Sequence, residues 1–395
     1  MLPPDEQMRL IRRGVAEIFP EEEMWRRLEE SFRTGRPLRV KLGIDPTTPD
    51  LHLGHTVVLN KLRQFQQLGH TAVLIIGDYT AQVGDPSGRN TQRPRLSKET
   101  VRKNAELFLK QAKKVLLEKP LEVHYNGEWF AKMSFEEVME LSSHITVARL
   151  LERDDFHNRF KNNIPISLHE FFYPLMQGYD SVMVRADVEL GGTDQRYNLA
   201  FGRDLQRDFN QTPQVCITLP LLVGTDGKRK MSKTYGNFVA IDEPPKTMFD
   251  KLLSIPDDLR RSYLTLLTNI ADDEVERLLA HPDPREAKVQ LALSVIRRFH
   301  GEKAAQEVER AYRHNDLPRD GLKEVTVPPG KIWVVELLRR CGFARTNSEG
   351  RRLVRGGAVR IDGRRVSDEM EQIEPKNGQV LRVGKNRWAK LRLQQ

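Results

Sequence analysis

Residues 39–77 constrain the fold more tightly than any other stretch. Arg39–Ile44 reads as a strand, Pro46 and Pro49 stiffen the loop after it, and a helix follows through Gln67 with Asp50 as candidate N-cap. Ala72–Gly77 is then a continuous apolar run, the pattern of a strand covered on both faces in a parallel sheet. Strand, helix, strand is a βαβ unit, and its crossover is right-handed. Such a join points free backbone N–H groups at whatever sits above the strand end, and phosphates are the usual occupant. His52 and His55 project from one side of the first helical turn. Gly54 between them leaves the backbone open to a flat group such as an adenine ring.

The alternation continues. Residues 5–35 read as two helices, the second, Glu21–Phe32, ending near Gly35. Ser97 caps a helix to about Glu118, and Leu121–Tyr125 is a third strand. Helices near Ser134–Leu141 and Thr146–Glu152, a strand at Val182–Ala186, the segment Val188–Leu190, a helix over Asp194–Arg207 and a strand at Val215–Thr218 follow. The expected fold class is α/β: a Rossmann-like doubly wound parallel sheet over 1–245, with ligands at the carboxyl ends of its strands. Residues 246–314 read as an all-helical domain and Asn315–Gly330 as a linker. Residues 331–395 read as a small α+β domain. In it lie a helix at Lys331–Arg340, a basic helix at Ser348–Arg355, and a hairpin, Val359–Ile361 with Arg364–Val366, turning at Asp362-Gly363.

Charge placement bears on partners. The 395 residues carry a net charge of +9, and residues 329–395 alone hold sixteen Lys and Arg against seven Asp and Glu, so the rest of the chain balances. A compact basic region on a neutral protein suits a polyanion. There is no apolar run of membrane-spanning length and no signal-peptide pattern at the N-terminus. Cys216 and Cys341 have neither disulfide-framework nor zinc-ligand spacing, which fits a reducing cytoplasm and no structural metal.

His52-Leu53-Gly54-His55 resembles the first signature of the class I aminoacyl-tRNA synthetases, and Lys230-Met231-Ser232-Lys233-Thr234 resembles the second. Each is short by itself. Together, in this order, with the residues between them and the basic tail, they make the whole chain similar to the bacterial tyrosyl-tRNA synthetases that carry a compact C-terminal S4-like RNA-binding domain. That resemblance implies ATP with Mg²⁺, L-tyrosine and tRNA(Tyr) as substrates, and a homodimer. The reaction is attack of an amino-acid carboxylate on the α-phosphate, then transfer to the tRNA. The nucleophile needs no general base, so positioning and donors to phosphate oxygens carry the catalysis.

By resemblance, Thr47 and His52 hold the leaving pyrophosphate, His55 sits by the ribose and adenine, and Lys230, Lys233 and Thr234 close over the phosphates. Gly43, Asp45, Gly54, Gly192 and Asp194 belong to the adenylate site, with Arg89 and Arg93 as candidate pyrophosphate contacts. Ser167 and Glu170 form a capping box. Behind it, Leu168, Phe171, Phe172, Leu175, Met176 and Tyr179 follow helical spacing toward the core, while Tyr173, Gln177 and Asp180 form a second stripe. The Tyr-x-x-x-Gln-x-x-Asp pattern resembles that of the tyrosyl enzymes, where it holds the substrate ammonium and phenol hydroxyl. Asp85, Thr80, Asn126 and Gln195 are further candidates for the tyrosine site. Arg345, Arg351, Arg352, Arg355 and Arg360 are candidates for RNA contact. Lys41 stands where the best-known tyrosyl enzymes have a tyrosine, so hydroxyl reading rests on Asp180 alone or on Asp180 oriented by Lys41. A tryptophan-activating relative and a non-catalytic RNA-binding protein are the alternatives; all four motif lysines and histidines are present.

Overall fold

Six strands build the central sheet: β1 (Glu17–Phe19), β2 (Arg39–Ile44), β3 (Thr71–Ile76), β4 (Leu121–Tyr125), β5 (Val188–Gly192) and β6 (Val215–Leu219). The computed structural model describes residues 1–48, 50–85, 96–313, 322–384 and 387–394. The strand order is β1-β6-β5-β2-β3-β4, parallel except for β1, which pairs antiparallel with β6. From β2 the chain adds β3 and β4 on one side, whereas β5 is followed by β6 on the other. The order therefore reverses between β2 and β5, and a crevice opens above their carboxyl ends. Val73, Leu74, Ile75 and Ile76 are wholly buried, as a two-faced parallel strand requires.

Helix α1 (Leu53–Gln67) buries Leu53, Val57, Leu59, Leu62 and Phe65. Its N-cap is His52, not Asp50. The imidazole Nδ1 of His52 accepts from Gly54 N at 3.1 Å, and His55 Nδ1 accepts from His52 N at 3.2 Å, a capping box made of two histidines. Asp50 instead receives Lys233 Nζ. Helix α2 (Lys98–Ala112) stops short of the expected Glu118. Side chains of α1 take over the backbone partners there: Arg63 donates to Val115 O, and Gln66 bonds both N and O of Leu117.

The Ser167–Glu170 capping box forms, but it opens a 3-10 turn, Leu168–Phe171, before helix α3 (Phe172–Val184). The changed rotation leaves Leu168 exposed at 74%, against the expected core position, while Leu175 and Met176 are buried. Val182–Ala186 is not a strand. Val182 and Val184 finish α3, and Arg185 ends it in the left-handed conformation (φ 49°). Burial of both valines overrides their β preference. Helix α4 (Arg196–Asp208) follows a short 3-10 turn at Thr193–Gln195. A helix at Asp154–Lys161 and the edge strand β1 were not foreseen from the sequence.

The described residues group into two compact units, Met1–Phe299 and His300–Gln395. Beyond the sheet come helices Pro245–Leu253, Arg260–Leu267 and Asp272–Leu279, then the helical run Pro284–Arg313, broken at Gly301. In the second unit, β7 (Glu324–Val327) lies where a linker is expected. It pairs in parallel with the last strand, and a five-stranded sheet results. Helices α5 (Val334–Arg340) and α6 (Asn347–Arg355) pack their apolar faces on it. Helix α5 starts three residues later than expected because Ile332–Trp333 pairs with Gln372–Ile373. The hairpin β8 (Val359–Ile361) and β9 (Arg364–Arg365) turns through Asp362 and Gly363 with φ 47° and 84°, the geometry this dipeptide favours. Strands β10 (Val380–Val383) and β11 (Arg387–Leu393) complete the sheet.

One polar pair is sunk in the first sheet. Lys41 on β2 and Glu189 on β5 are register partners, with Nζ and Oε1 2.9 Å apart and side chains 0% and 1% exposed. Breaking such a pair on one side costs about 3–5 kcal/mol, whereas neutralising both costs far less. Lys41→Met is therefore expected to lose stability on that scale in chemical denaturation, with most of the loss recovered in Lys41→Met/Glu189→Gln.

Candidate active site

The crevice between β2 and β5 holds a cavity of about 280 Å³. Gly43, Asp45 and Thr47 line it from the β2 end, His55 from α1, Thr80 and Asp85 from the β3 side, Tyr173, Gln177 and Asp180 from α3, and Gly192, Asp194 and Gln195 from the β5 end. Residues distant in the chain thus share one space. Gly77 makes the crowding possible: a Cβ there would lie 2.1 Å from Asp45 Oδ1 and 2.3 Å from Thr80 Oγ1.

The two imidazoles stack with ring centroids 3.9 Å apart. Burial first, then the charges of His55 and Lys233, push the His52 pKa down to about 2. Burial and Lys233 push His55 down to about 4. Both rings are neutral at pH 7. Their Nδ1 atoms accept from backbone N–H, so each carries its proton on Nε2 and is a donor without charge. Gly54 has a second explanation besides access for a flat ligand: a Cβ would meet the His52 ring at 2.9 Å. The cap itself requires glycine.

The lysine motif comes back against this helix start. Leu53 N donates to Val239 O, and His52 bridges to Ala240. Buried Asn237 holds the loop, accepting from Ser232 N and donating to Asp226 and to the carbonyls of Arg229 and Lys230. Nothing in the spacing of the motif singled out Asn237. Lys233 rests on Asp50, Lys230 lies 3.4 Å from Asp194 Oδ2, and Thr234 N is bonded by Ser232 Oγ.

At the other end, Asp180 is buried under two donors, Trp129 Nε1 at 2.9 Å and Asn126 Nδ2 at 3.2 Å. Asn126 also reaches Thr80, Thr80 donates to Asp45, and Tyr173 donates its hydroxyl to Asp45 at 2.9 Å. Burial pushes the Asp180 carboxyl up to about 7; Lys41 and the two donors pull against it. Trp129 was missed because no local pattern ties residue 129 to 180. Lys41 directs its protons to Glu189, Ser181 and Gln177 O, not to Asp180.

Arg89 and Arg93 lie outside the described residues. In the second unit Arg345, Arg351, Arg352, Arg355 and Arg360 are all exposed. Arg355 pairs with Glu369, and Arg351 lies over the Trp333 ring.

The family model for tRNA synthetases class I (W and Y) matches residues 33–314, and that for the S4 domain matches residues 332–376. The chain is 50% identical to the tyrosine–tRNA ligase of Moorella thermoacetica, over 98% of this chain and 95% of the relative. It is 48% identical to that of Aquifex aeolicus, over 98% of each. Among solved structures, a C-terminally truncated mitochondrial tyrosyl-tRNA synthetase from Aspergillus nidulans shares the fold at TM-score 0.66 and 22% identity, covering 79% of this chain and 94% of that one. The Archaeoglobus fulgidus tyrosyl-tRNA synthetase does so at TM-score 0.62 and 22% identity, covering 77% and 99%.

The raised Asp180 pKa has a consequence for stability. The unfolded chain ionises this carboxyl near 3.9, the folded one near 7, so folding loses stability as pH rises between those values and the whole cost is present above 7. Asp180→Asn is expected to gain on the parent by about 3 kcal/mol between pH 5 and pH 8, roughly two pKa units of the linkage. Thermal melts at the two pH values measure the gap.

Proposed function

Because the chain belongs to the tyrosine–tRNA ligases of class I, we propose that the cavity above β2 and β5 is where its substrates meet. The chain activates L-tyrosine with ATP, releasing pyrophosphate, and transfers the tyrosyl group to the 3′ end of tRNA(Tyr). That chemistry divides among the residues of the cavity and its rim.

Tyrosine lies with its ring against α3. Asp180, held by Trp129 and Asn126, accepts from the phenol hydroxyl; phenylalanine would leave this buried acceptor unpaired. Tyr173 and Gln177, with Asp85, take the ammonium group, and Thr80 and Gln195 steady them. The tyrosine carboxylate attacks the α-phosphate of Mg·ATP, forming the C–O–P link as the bond to pyrophosphate breaks. His52 and Thr47 donate to the departing phosphates, and His55 faces the nucleotide. A neutral N–H is a fixed dipole whose contribution grows as charge develops on the leaving oxygens. Lys230 and Lys233 exchange Asp194 and Asp50 for phosphate oxygens, with Thr234 beside them, and this frees Asp194 for a ribose hydroxyl. Gly43, Asp45, Gly54 and Gly192 line the adenylate's path, and Arg89 and Arg93 are assigned to pyrophosphate.

The basic second unit is assigned to tRNA through Arg345, Arg351, Arg352, Arg355 and Arg360, with residues 246–314 on the anticodon side. A homodimer is supported by the large apolar side chains exposed between residues 135 and 168: Phe135 at 79%, Val147 at 61%, Phe160 at 65% and Leu168 at 74%. Free buried Cys216 and Cys341 suit the cytoplasm, and no helix among the described residues is long and apolar enough to cross a membrane.

The observation that carries the reading is that Asp180, Thr47 and His55 line one cavity, with the lysine motif packed on the same helix start. Pyrophosphate exchange with each of the twenty amino acids tests it: tyrosine alone is expected to support strong exchange. His52→Ala should slow single-turnover adenylate formation by ~3 kcal/mol while tyrosine affinity changes little. An unchanged rate would remove His52 from the mechanism. Phe135→Arg with Leu168→Arg should halve the mass seen in sedimentation; an unchanged mass would place the dimer contact elsewhere.

A further inference from the structure

Beneath the cavity, the Lys41–Glu189 pair makes more bonds than the sheet needs. Apolar residues of similar volume would join β2 to β5 at least as well, since burying two charges costs about what their attraction returns. Strand pairing does not account for it. Lys41 Nζ also donates to Ser181 Oγ at 2.7 Å and to Gln177 O at 2.8 Å. Glu189 accepts from Ser181 Oγ at 3.2 Å, from Gln214 Nε2, and from Gln177 Nε2 at 3.3 Å.

The last bond matters for the cavity. A carboxylate only accepts hydrogen bonds, so the Gln177 amide has to turn its NH₂ down to Glu189. Its carbonyl oxygen is then the end left for the cavity wall, where it accepts from Asn198 Nδ2 at 2.9 Å. Asn198 donates in turn to Gln195 Oε1 at 2.9 Å, and Gln195 Nε2 donates to Asp85 Oδ2 at 2.9 Å. One buried carboxylate thereby sets the sense of a chain of amides that ends on a second carboxylate. An ammonium group has three donors and no acceptor, so it needs the oxygen end of Gln177. A flipped amide would set donor against donor.

We propose that Lys41 and Glu189 are a positioning pair: Lys41 holds the Glu189 side chain in place through their 2.9 Å ion pair, and Glu189 fixes the amide sense of Gln177 so that the site selects a cationic α-amino group. This rests on the assignment of the cavity to tyrosine, and deepens it. Neither residue touches the substrate. The pair acts on ammonium recognition and leaves the hydroxyl end, held by Trp129 and Asn126, alone.

Two tyrosine analogues separate this role from a structural one. L-Tyrosinol keeps the ammonium, and 3-(4-hydroxyphenyl)propionate lacks it. Both are measured as inhibitors of tyrosine-dependent pyrophosphate exchange with the full-length chain, with Lys41→Met/Glu189→Gln and with Glu189→Gln. In the variants we expect the tyrosinol inhibition constant and the tyrosine KM to rise about tenfold, the weight of one hydrogen bond to a charged group, with kcat and the propionate constant within about twofold. Equal weakening of both analogues would mean a loosened site and would overturn the proposal. So would no change in either. The double variant leaves no unpaired buried charge, and carries the test should Glu189→Gln alone fail to fold. If tyrosinol did not compete with tyrosine in the unaltered chain, the amino-acid site itself would be misassigned, a failure distinct from that of the pair.

Discussion

Two neighbouring parallel strands, β2 and β5, lead the chain away in opposite directions, and the site depends on that divergence. Connections that leave opposite ways cannot cover the ends of the strands between them, so the crevice there stays open. Into it run the loop after β2, the turn after β5 and one side of α3. The Lys41–Glu189 bridge ties the two strands together below the opening and holds Gln177 and Ser181 of α3 to the same point. The position of α3, and with it Tyr173 and Asp180, follows from that anchor.

The cavity is arranged by hydrogen-bonding sense as well as by shape. Near α1 the available groups donate: two neutral imidazoles with Nε2–H, the first turn's backbone, and two lysines close by. Near α3 the groups accept: Asp45, Asp180 and, through Glu189, the Gln177 carbonyl. A triphosphate suits the first end and an ammonium-bearing phenol the second. Keeping the histidines neutral is a product of burial, and it suits a reaction whose nucleophile arrives already ionised. No residue has to take a proton, so the protein's contribution is placement.

Much of this was legible in the chain. The apolar run at 72–77, the helix over 53–67, the Ser167–Glu170 box and the Asp362-Gly363 hairpin all appear where their local chemistry puts them. The misreadings share a cause. Asp50 is an ordinary cap residue in a window, but His52 caps because its ring fits over Gly54. Val182–Ala186 has β-branched residues, yet burial keeps Val182 and Val184 helical. Glu324–Val327 looks like linker until β11, more than sixty residues later, supplies its partner. In each case the packed surroundings outweigh a local preference.

By itself the sequence determined the periodicities, the two short motifs and the basic tail, and hence the class of fold and of reaction. These depend on neighbours a few residues apart, or on composition, and are readable without coordinates. Only the tertiary structure decided which atoms face which: that Trp129 and Asn126 stand behind Asp180, that Asn237 holds the lysine loop, and that Lys41 answers to Glu189 and not to Asp180. Contacts such as Lys41 with Glu189 or Trp129 with Asp180 exist only once the strands are in order, and a linear chain carries no local trace of them.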